Sequence, residues 1–454
     1  MNTIYLFTAS FMFLFALVHT SAIPDVLPKR STLLLPSKDP FYAVPAGLDH
    51  VHPGTILKHR PAPAPLAAFG IVPVKLQESH QILYRTTDSL GNATATVLTV
   101  LIPHNADRSK VLSYQVAEDA ANINCAPSYA LQLESATGPL FGTIITQAEI
   151  LLILAALEQG WVVIIPDFLG PKAAFIANKL SGQATLDGIR AALGSQSFTG
   201  IQDPRITMWG YSGGAIATNW AAELQPTYAP ELMIAGAAVG GTVPDFRSAL
   251  KRVNGDLFAG FVPPAILGLS AQFPEVSALV EQHIKPDAKD KFYRARDRCL
   301  VPNAAEFLFA DVFGMFDDRN LFFSNPTATA AIENANLGKA VPKIPFYWYK
   351  SVLDEASPVA DTDAVVSKYC SEGVTIEYVR DIASEHGSYA AIGAPKAISW
   401  LKRVMNGETP KPGCSTKTTF SSLLDPATIE ILPKYITDAL LVILGRPAGP
   451  IIFG

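Results

Sequence analysis

The chain is poor in charge. Only 17% of its 454 residues are Asp, Glu, Lys or Arg, against about a quarter in an ordinary soluble domain. Its 35 basic residues are outnumbered by 40 acidic ones, a formal net charge of -5, and no run of five like charges occurs. No nucleic-acid partner is expected, because phosphate neutralisation needs a concentrated positive field. Cysteine is scarce too: there are 4, none in Cys-x-x-Cys spacing, which argues against a zinc ribbon or a dithiol redox centre. Also missing are the His-Glu-x-x-His, EF-hand, phosphate-loop and dinucleotide patterns, so no metal and no organic cofactor is expected. Beyond residues 4–22 no apolar run is long enough to span a bilayer, and residues 439–444 fall far short of about 30 Å. What is present is 49% apolar residues, enough for a large core, which sets aside a disordered chain, a collagen-like repeat and a small disulfide-stapled module. The length suits one large domain with an insertion, or two to three units.

Residues 4–22 end in Thr20, Ser21 and Ala22, small residues of the kind accepted at a signal-peptidase cut. Residues 1–22 therefore read as a signal peptide. No Lys or Arg precedes the run, so an uncleaved anchor is the competing reading. Lys29-Arg30 reads either as a dibasic processing site or as a solvated turn. The mature protein is expected to be secreted, with no transmembrane span. Export would place Cys125, Cys299, Cys370 and Cys414 in an oxidising compartment, where two bridges form by default and three pairings are possible. The sequon Asn92-Ala93-Thr94 lies between turn-like residues and a β-rich run, a candidate glycan site.

Residues 23–80 are expected to form an extended N-terminal segment, since 28–73 are rich in proline and lack sustained periodicity. Strands are predicted at 94–102, 111–116, 161–166 and 206–209, with helices at 146–159 and 182–193. This alternation predicts a parallel sheet with helices on both faces. It stops near Thr242 and resumes with strands at 344–349 and 374–379 and a helix at 389–405. The simplest account is one α/β domain, residues 81–244 and 337–413, interrupted by a helical insertion at 245–336. The tail 414–454 carries weak signals, and its structure stays open.

Gly210-Tyr211-Ser212-Gly213-Gly214 stands between a short apolar strand and an alanine-rich stretch. A Gly-x-Ser-x-Gly turn between strand and helix holds its serine in a strained conformation, and side chains two positions away would collide with their neighbours unless they were glycine. The helix N-terminus then faces the place where an oxyanion would develop. The bland alternative is a tight turn whose serine caps the helix. A serine hydroxyl needs a base. In folds with this turn the partners follow in the order acid, histidine, and only His283 and His386 of the 8 histidines lie beyond Ser212. His283 reads as an exposed helix-face residue of the helical insertion. His386 stands after the last predicted strand and before the last long helix, where the base belongs. The acid should close a strand between the two; Asp354 fits best, with Glu355, Asp361 and Asp363 as neighbouring rivals.

Five further segments accompany this turn: Tyr114-Gln115-Val116-Ala117-Glu118-Asp119-Ala120, Cys125-Ala126-Pro127-Ser128-Tyr129, Gly170-Pro171-Lys172-Ala173-Ala174-Phe175, Tyr228-Ala229-Pro230-Glu231-Leu232 and Phe258-Ala259-Gly260-Phe261. With them the chain resembles the secreted fungal lipase family over residues 41–413. The resemblance implies an α/β-hydrolase fold with a helical cap (lid) inserted after the strand that follows the nucleophile helix. It also implies a catalytic Ser212, Asp354 and His386, an oxyanion hole from the N–H groups of Gly213 and Asp119, and the pairings Cys125 with Cys299 and Cys370 with Cys414. One departure stands out. The family usually has an apolar pair where Ala356-Ser357 follow Asp354-Glu355.

The cap region holds eleven of the 24 phenylalanines. Rings concentrated over a catalytic face would line an apolar tunnel or meet lipid, although about half are expected to form the core that a cap of several helices needs. The expected function is hydrolysis of fatty-acyl esters such as triacylglycerols through an acyl-enzyme, with a lipid substrate met at a lipid–water interface. The alternatives are a short-chain or polysaccharide esterase or amidase with the same residues, and a non-catalytic protein on this scaffold.

Overall fold

The computed structural model describes residues 33–68, 72–135 and 143–426. The expected signal peptide, Lys29-Arg30 and the run at 439–444 lie outside the described residues. β-Branched and aromatic runs supply the strands β1 (Ile56–Pro61), β2 (Glu78–Thr87), β3 (Ala93–Ile102), β4 (Asp107–Gln115) and β5 (Trp161–Pro166). They continue as β6 (Arg205–Tyr211), β7 (Ile234–Gly240), β8 (Phe346–Ser351), β9 (Ile376–Asp381) and β10 (Cys414–Thr419). These join one sheet in the order β1-β2-β3-β5-β4-β6-β7-β8-β9-β10. From β5 through β10 every pairing is parallel, whereas β1, β2, β3 and β5 pair antiparallel. The expected wholly parallel sheet is thus mixed. Residues 88–92 are too short a link between β2 and β3 to do anything but reverse the chain.

Alternate residues of the central strands face opposite layers, as the two-residue period of a strand requires. Ile164, Met208, Ala237 and Trp348 face one cluster, which holds the helices α2 (Asn178–Leu193) and α3 (Gly213–Tyr228). Val163, Trp209, Ala238 and Tyr347 face the other, packed by α1 (Ile150–Leu157) and α9 (His386–Met405). The cap is built from α4 (Phe246–Val253), α5 (Val262–Gln272), α6 (Pro274–His283), α7 (Pro326–Ala335) and further short helices, among them Pro286–Tyr293 and Leu300–Glu306. It shares the core. Phe292, Phe313, Phe316 and Phe322 belong to the same apolar cluster as Ile216, Trp220 and Phe346. Where the chain leaves the cap, Asn178 Nδ2 and Trp220 Nε1 both donate to the Ala335 carbonyl. The buried Glu223 carboxylate accepts the N–H groups of Gly338, Lys339 and Ala340.

Several expectations need correction. The extended segment at 23–80 carries β1, and β2 begins within it. β1 escaped detection because an edge strand half-open to solvent lacks a buried run. The helix expected at 146–159 is broken at Glu149, whose side chain turns in to accept the Ala117 N–H and the Tyr114 hydroxyl. The helix expected from 389 begins at His386, and Asn178 rather than 182 opens α2. The tail opens with β10, whose Cys-Ser-Thr-Lys-Thr-Thr is almost wholly exposed and gives no apolar signal. It is held by six register pairs with β9 and by the Cys370–Cys414 disulfide. The second bridge, Cys125–Cys299, ties the segment after β4 to the cap. Replacing Cys370 and Cys414 together by serine is expected to destabilise the protein by about 2–4 kcal/mol, read as a lowered denaturant midpoint without loss of the folded baseline.

Candidate active site

β6 runs straight into Ser212, which adopts φ 50° and ψ -120° before α3 begins at Gly213. A non-glycine residue at positive φ is strained, and here the neighbours hold it. The Ser212 N–H donates to the Gly240 carbonyl at 2.9 Å. A side-chain carbon on Gly214 would lie 1.9 Å from the Gln115 carbonyl, so α3 crosses β4 at a distance only glycine permits. The strand–turn–helix bend lifts the Ser212 hydroxyl clear of the sheet's end.

His386 reaches that hydroxyl from α9. Its Nε2 lies 2.8 Å from Ser212 Oγ, and its Nδ1 lies 2.7 Å from Asp354 Oδ2. An ionised carboxylate only accepts, so Nδ1 carries the proton and Nε2 is free to accept the Ser212 hydroxyl. Asp354 Oδ1 accepts the N–H groups of Ala356 and Ser357 at 3.0 and 2.8 Å. The departure at Ala356-Ser357 therefore leaves the loop carrying Asp354 anchored through its backbone. A capping box between Glu385 and Ser388 starts α9. The His386 N–H donates to Glu355 Oε2, and the Tyr211 hydroxyl donates to the His386 carbonyl at 2.6 Å.

Three of the rival residues go elsewhere. His283 pairs with Asp317 in the cap, and Asp363 takes the Tyr378 hydroxyl and Arg380. Asp361, in α8 (Val359–Ser371), faces Ser248 of α4. Asn92 is exposed in the turn at 88–92, with its amide donating to Asp88. Tyr211 and Lys350 were not singled out from sequence, and Glu355, a rival for the acid, instead holds the His386 backbone. Lys350 had a signal, since a lysine inside a continuous buried strand must have a partner.

A narrow cleft opens from Ser212 and His386 between the sheet and the cap. Its walls are apolar, with Phe175, Ile216, Val243, Phe246, Leu250 and Phe261 prominent among them. Phe258 stands edge-on to His386 at 6.3 Å. Of the eleven cap rings, Phe246 and Phe261 line this cleft and Phe309 is exposed, while Phe292, Phe307, Phe313, Phe316 and Phe322 fill the cap's core.

A family model described as secretory lipase matches residues 135–413. The chain is 49% identical to Lipase A of Arthroderma benhamiae over 91% of this chain and 89% of that one. It is 38% identical to Lipase 2 of Candida albicans over 95% and 94%. The chain belongs to the secretory lipase family. The closed-state structure of Candida antarctica lipase A matches with a TM-score of 0.80 at 30% identity, covering 93% of this chain and all of that one. A rice cell wall degrading esterase from Xanthomonas oryzae, 14% identical with a TM-score of 0.58, shares the fold alone. This lipase is an ester-hydrolysing enzyme with the α/β-hydrolase fold, and no helix among its described residues is long and apolar enough to cross a membrane.

Around Ser212 and His386 the buried carboxyls Asp354 and Asp119 behave in opposite ways. Burial opposes ionisation of Asp354, yet His386 and Lys350 outweigh it and hold its carboxyl well below the ordinary carboxylate range. Asp119, at φ 46° in the loop after β4, is the opposite case: burial raises it to about 7, against the pull of His386. Its Oδ1 lies 2.2 Å from where a side-chain carbon on Gly213 would stand, so the loop rests directly on the start of α3. The N–H groups of Asp119 and Gly213 have no acceptor among the described residues. Asp167, which accepts from Ser128, is likewise raised to about 7 by burial. The unfolded chain releases these two protons near pH 4, whereas the folded chain keeps them until about pH 7. Stability should therefore fall as pH rises through that window, and level off above it. Thermal unfolding of the lipase at a series of pH values is expected to show this slope, reduced in Asp119→Asn and in Asp167→Asn.

Proposed function

We propose that Ser212, His386 and Asp354 are the nucleophile, base and acid of a triacylglycerol lipase that works outside the cell on long-chain acyl esters. The observation that carries this reading is the continuous relay from Ser212 Oγ through the imidazole to a buried, ionised carboxylate, at the head of a cleft whose walls beyond Asp119 are apolar. As Oγ attacks the ester carbonyl, His386 Nε2 takes its proton, and Asp354 stabilises the imidazolium that forms. The Gly213 and Asp119 N–H groups stabilise the tetrahedral oxyanion. Collapse breaks the bond to the alcohol, which takes the proton from Nε2. Water then attacks the acyl-enzyme with the same base and releases the fatty acid.

The cleft argues for the substrate. An acyl chain laid along Ile216, Phe246 and Leu250 leaves water at about 0.8 kcal/mol per methylene, and a short or sugar-linked acyl group would leave those walls uncovered. Export follows from the apolar N-terminal run and accords with the family's secretory character. An interface is the natural source of such water-insoluble esters.

The test is hydrolysis of a graded series of acyl esters and an emulsified triglyceride. The value of kcat/KM is expected to climb with chain length by up to about fourfold per methylene. Ser212→Ala should lose fluorophosphonate labelling and at least about 10⁴-fold of the rate. Labelling that survives in Ser212→Ala removes the nucleophile, and a profile that peaks at acetate removes the long-chain substrate.

A further inference from the structure

Lys350 is the one residue of β8 whose chemistry conflicts with its place. Every residue of that strand is buried, and the Lys350 side chain is 1% exposed. Its Nζ lies 2.9 Å from Asp354 Oδ2 and donates to the Thr242 carbonyl at 2.9 Å. The same Asp354 oxygen takes the imidazole Nδ1–H. Thr242 belongs to the segment between β7 and the cap, just before Asp245 caps α4 by accepting the Ser248 N–H. One ammonium thus joins the acid of the proposed triad to the segment that enters the cap.

An ion buried so deeply is destabilising unless it is paired, and a methionine would fill the strand without that difficulty. The placement therefore asks for a role beyond packing. Accepting Ser212, His386 and Asp354 as the reacting and relaying groups, we propose that Lys350 is a positioning residue that keeps the His386 base unprotonated in acid by cancelling part of the Asp354 charge. An uncompensated carboxylate would favour the resting imidazolium, and a protonated Nε2 cannot take the Ser212 proton. An ammonium on the shared oxygen disfavours that state, so the lipase stays competent at lower pH.

The other groups that face this pair come from four directions. Glu355 lies in the acid loop, Asp361 in the helix Val359–Ser371, Asp119 in the loop after β4, and the Tyr211 phenol at the end of β6. Burial raises Glu355, Asp361 and Asp119 above their ordinary values. As pH falls these three take up protons while Asp354 stays ionised, which leaves Asp354 and Lys350 as the opposing charges beside the ring.

The experiment measures kcat/KM for a soluble acyl ester against pH in wild type, Lys350→Met, Lys350→Gln and Lys350→Arg, with active sites counted by fluorophosphonate. The acidic limb reports protonation of the base. It is expected to move up by about one pH unit in both neutral variants, and to stay near the wild-type position in Lys350→Arg. The glutamine separates charge from hydrogen bonding: a limb that moves in Lys350→Met and not in Lys350→Gln overturns the proposal, as does a limb that moves in neither. Loss of labelling in both neutral variants reduces Lys350 to a structural role and also overturns it. A wild type that neither turns over nor labels would instead remove the triad reading, so the two failures are distinct.

Discussion

The strained turn at Ser212 is the constraint on which the rest of the site depends. Positive φ at a serine is unfavourable by about 1–3 kcal/mol and persists only if the surroundings leave no alternative. Here β4 presses on α3 closely enough that Gly214 admits no side chain, the Asp119 carboxyl packs against Gly213, and the Gly240 carbonyl holds the serine amide. The parallel pairings of β6 with β4 and β7 bring these three contacts to the same end of the sheet. Strain at one residue is thereby distributed over three strands and a helix.

The same crowding sets the electrostatics. Three carboxyls within this region, two buried and one half-buried, meet different fates because their partners differ. Asp354 has two cationic or proton-sharing neighbours and two backbone donors, and it stays ionised. Asp119 has none of these beyond a distant influence of His386, and it holds its proton to about pH 7. Glu355 is intermediate, raised by burial but bonded to the His386 N–H. In a low-dielectric site the distribution of donors, more than the number of acids, decides where charge resides. The proposed mechanism needs that charge on Asp354 alone.

The cap has two duties that compete for the same rings. Five phenylalanines join its own core, which merges with that beneath the sheet face, while Phe246 and Phe261 turn toward the cleft. A cap held by shared core, by the Ala335 and Glu223 contacts and by Cys125–Cys299 presents a firm apolar wall. The cleft it leaves is narrow, and away from Asp119, Ser212 and His386 its walls are apolar.

The local features were legible in the residues themselves. Strand–glycine–serine–glycine–helix order carries its own steric reason, and it survives any arrangement of the distant chain. The position of His386 after the last core strand followed from chain order, and the apolar alternation defined the sheet's central strands. What only tertiary structure decided were contacts between segments far apart in sequence. Lys350 meets Thr242 and Asp354, Tyr211 meets the carbonyl of His386, and the exposed β10 joins the sheet through β9. The division of cap rings between core and cleft belongs with these. A periodicity records which side of an element is apolar, but the partner that covers it depends on where the chain returns. For that reason β1 and β10, polar edge strands stabilised by pairing, left no mark in the sequence that their neighbours did not supply.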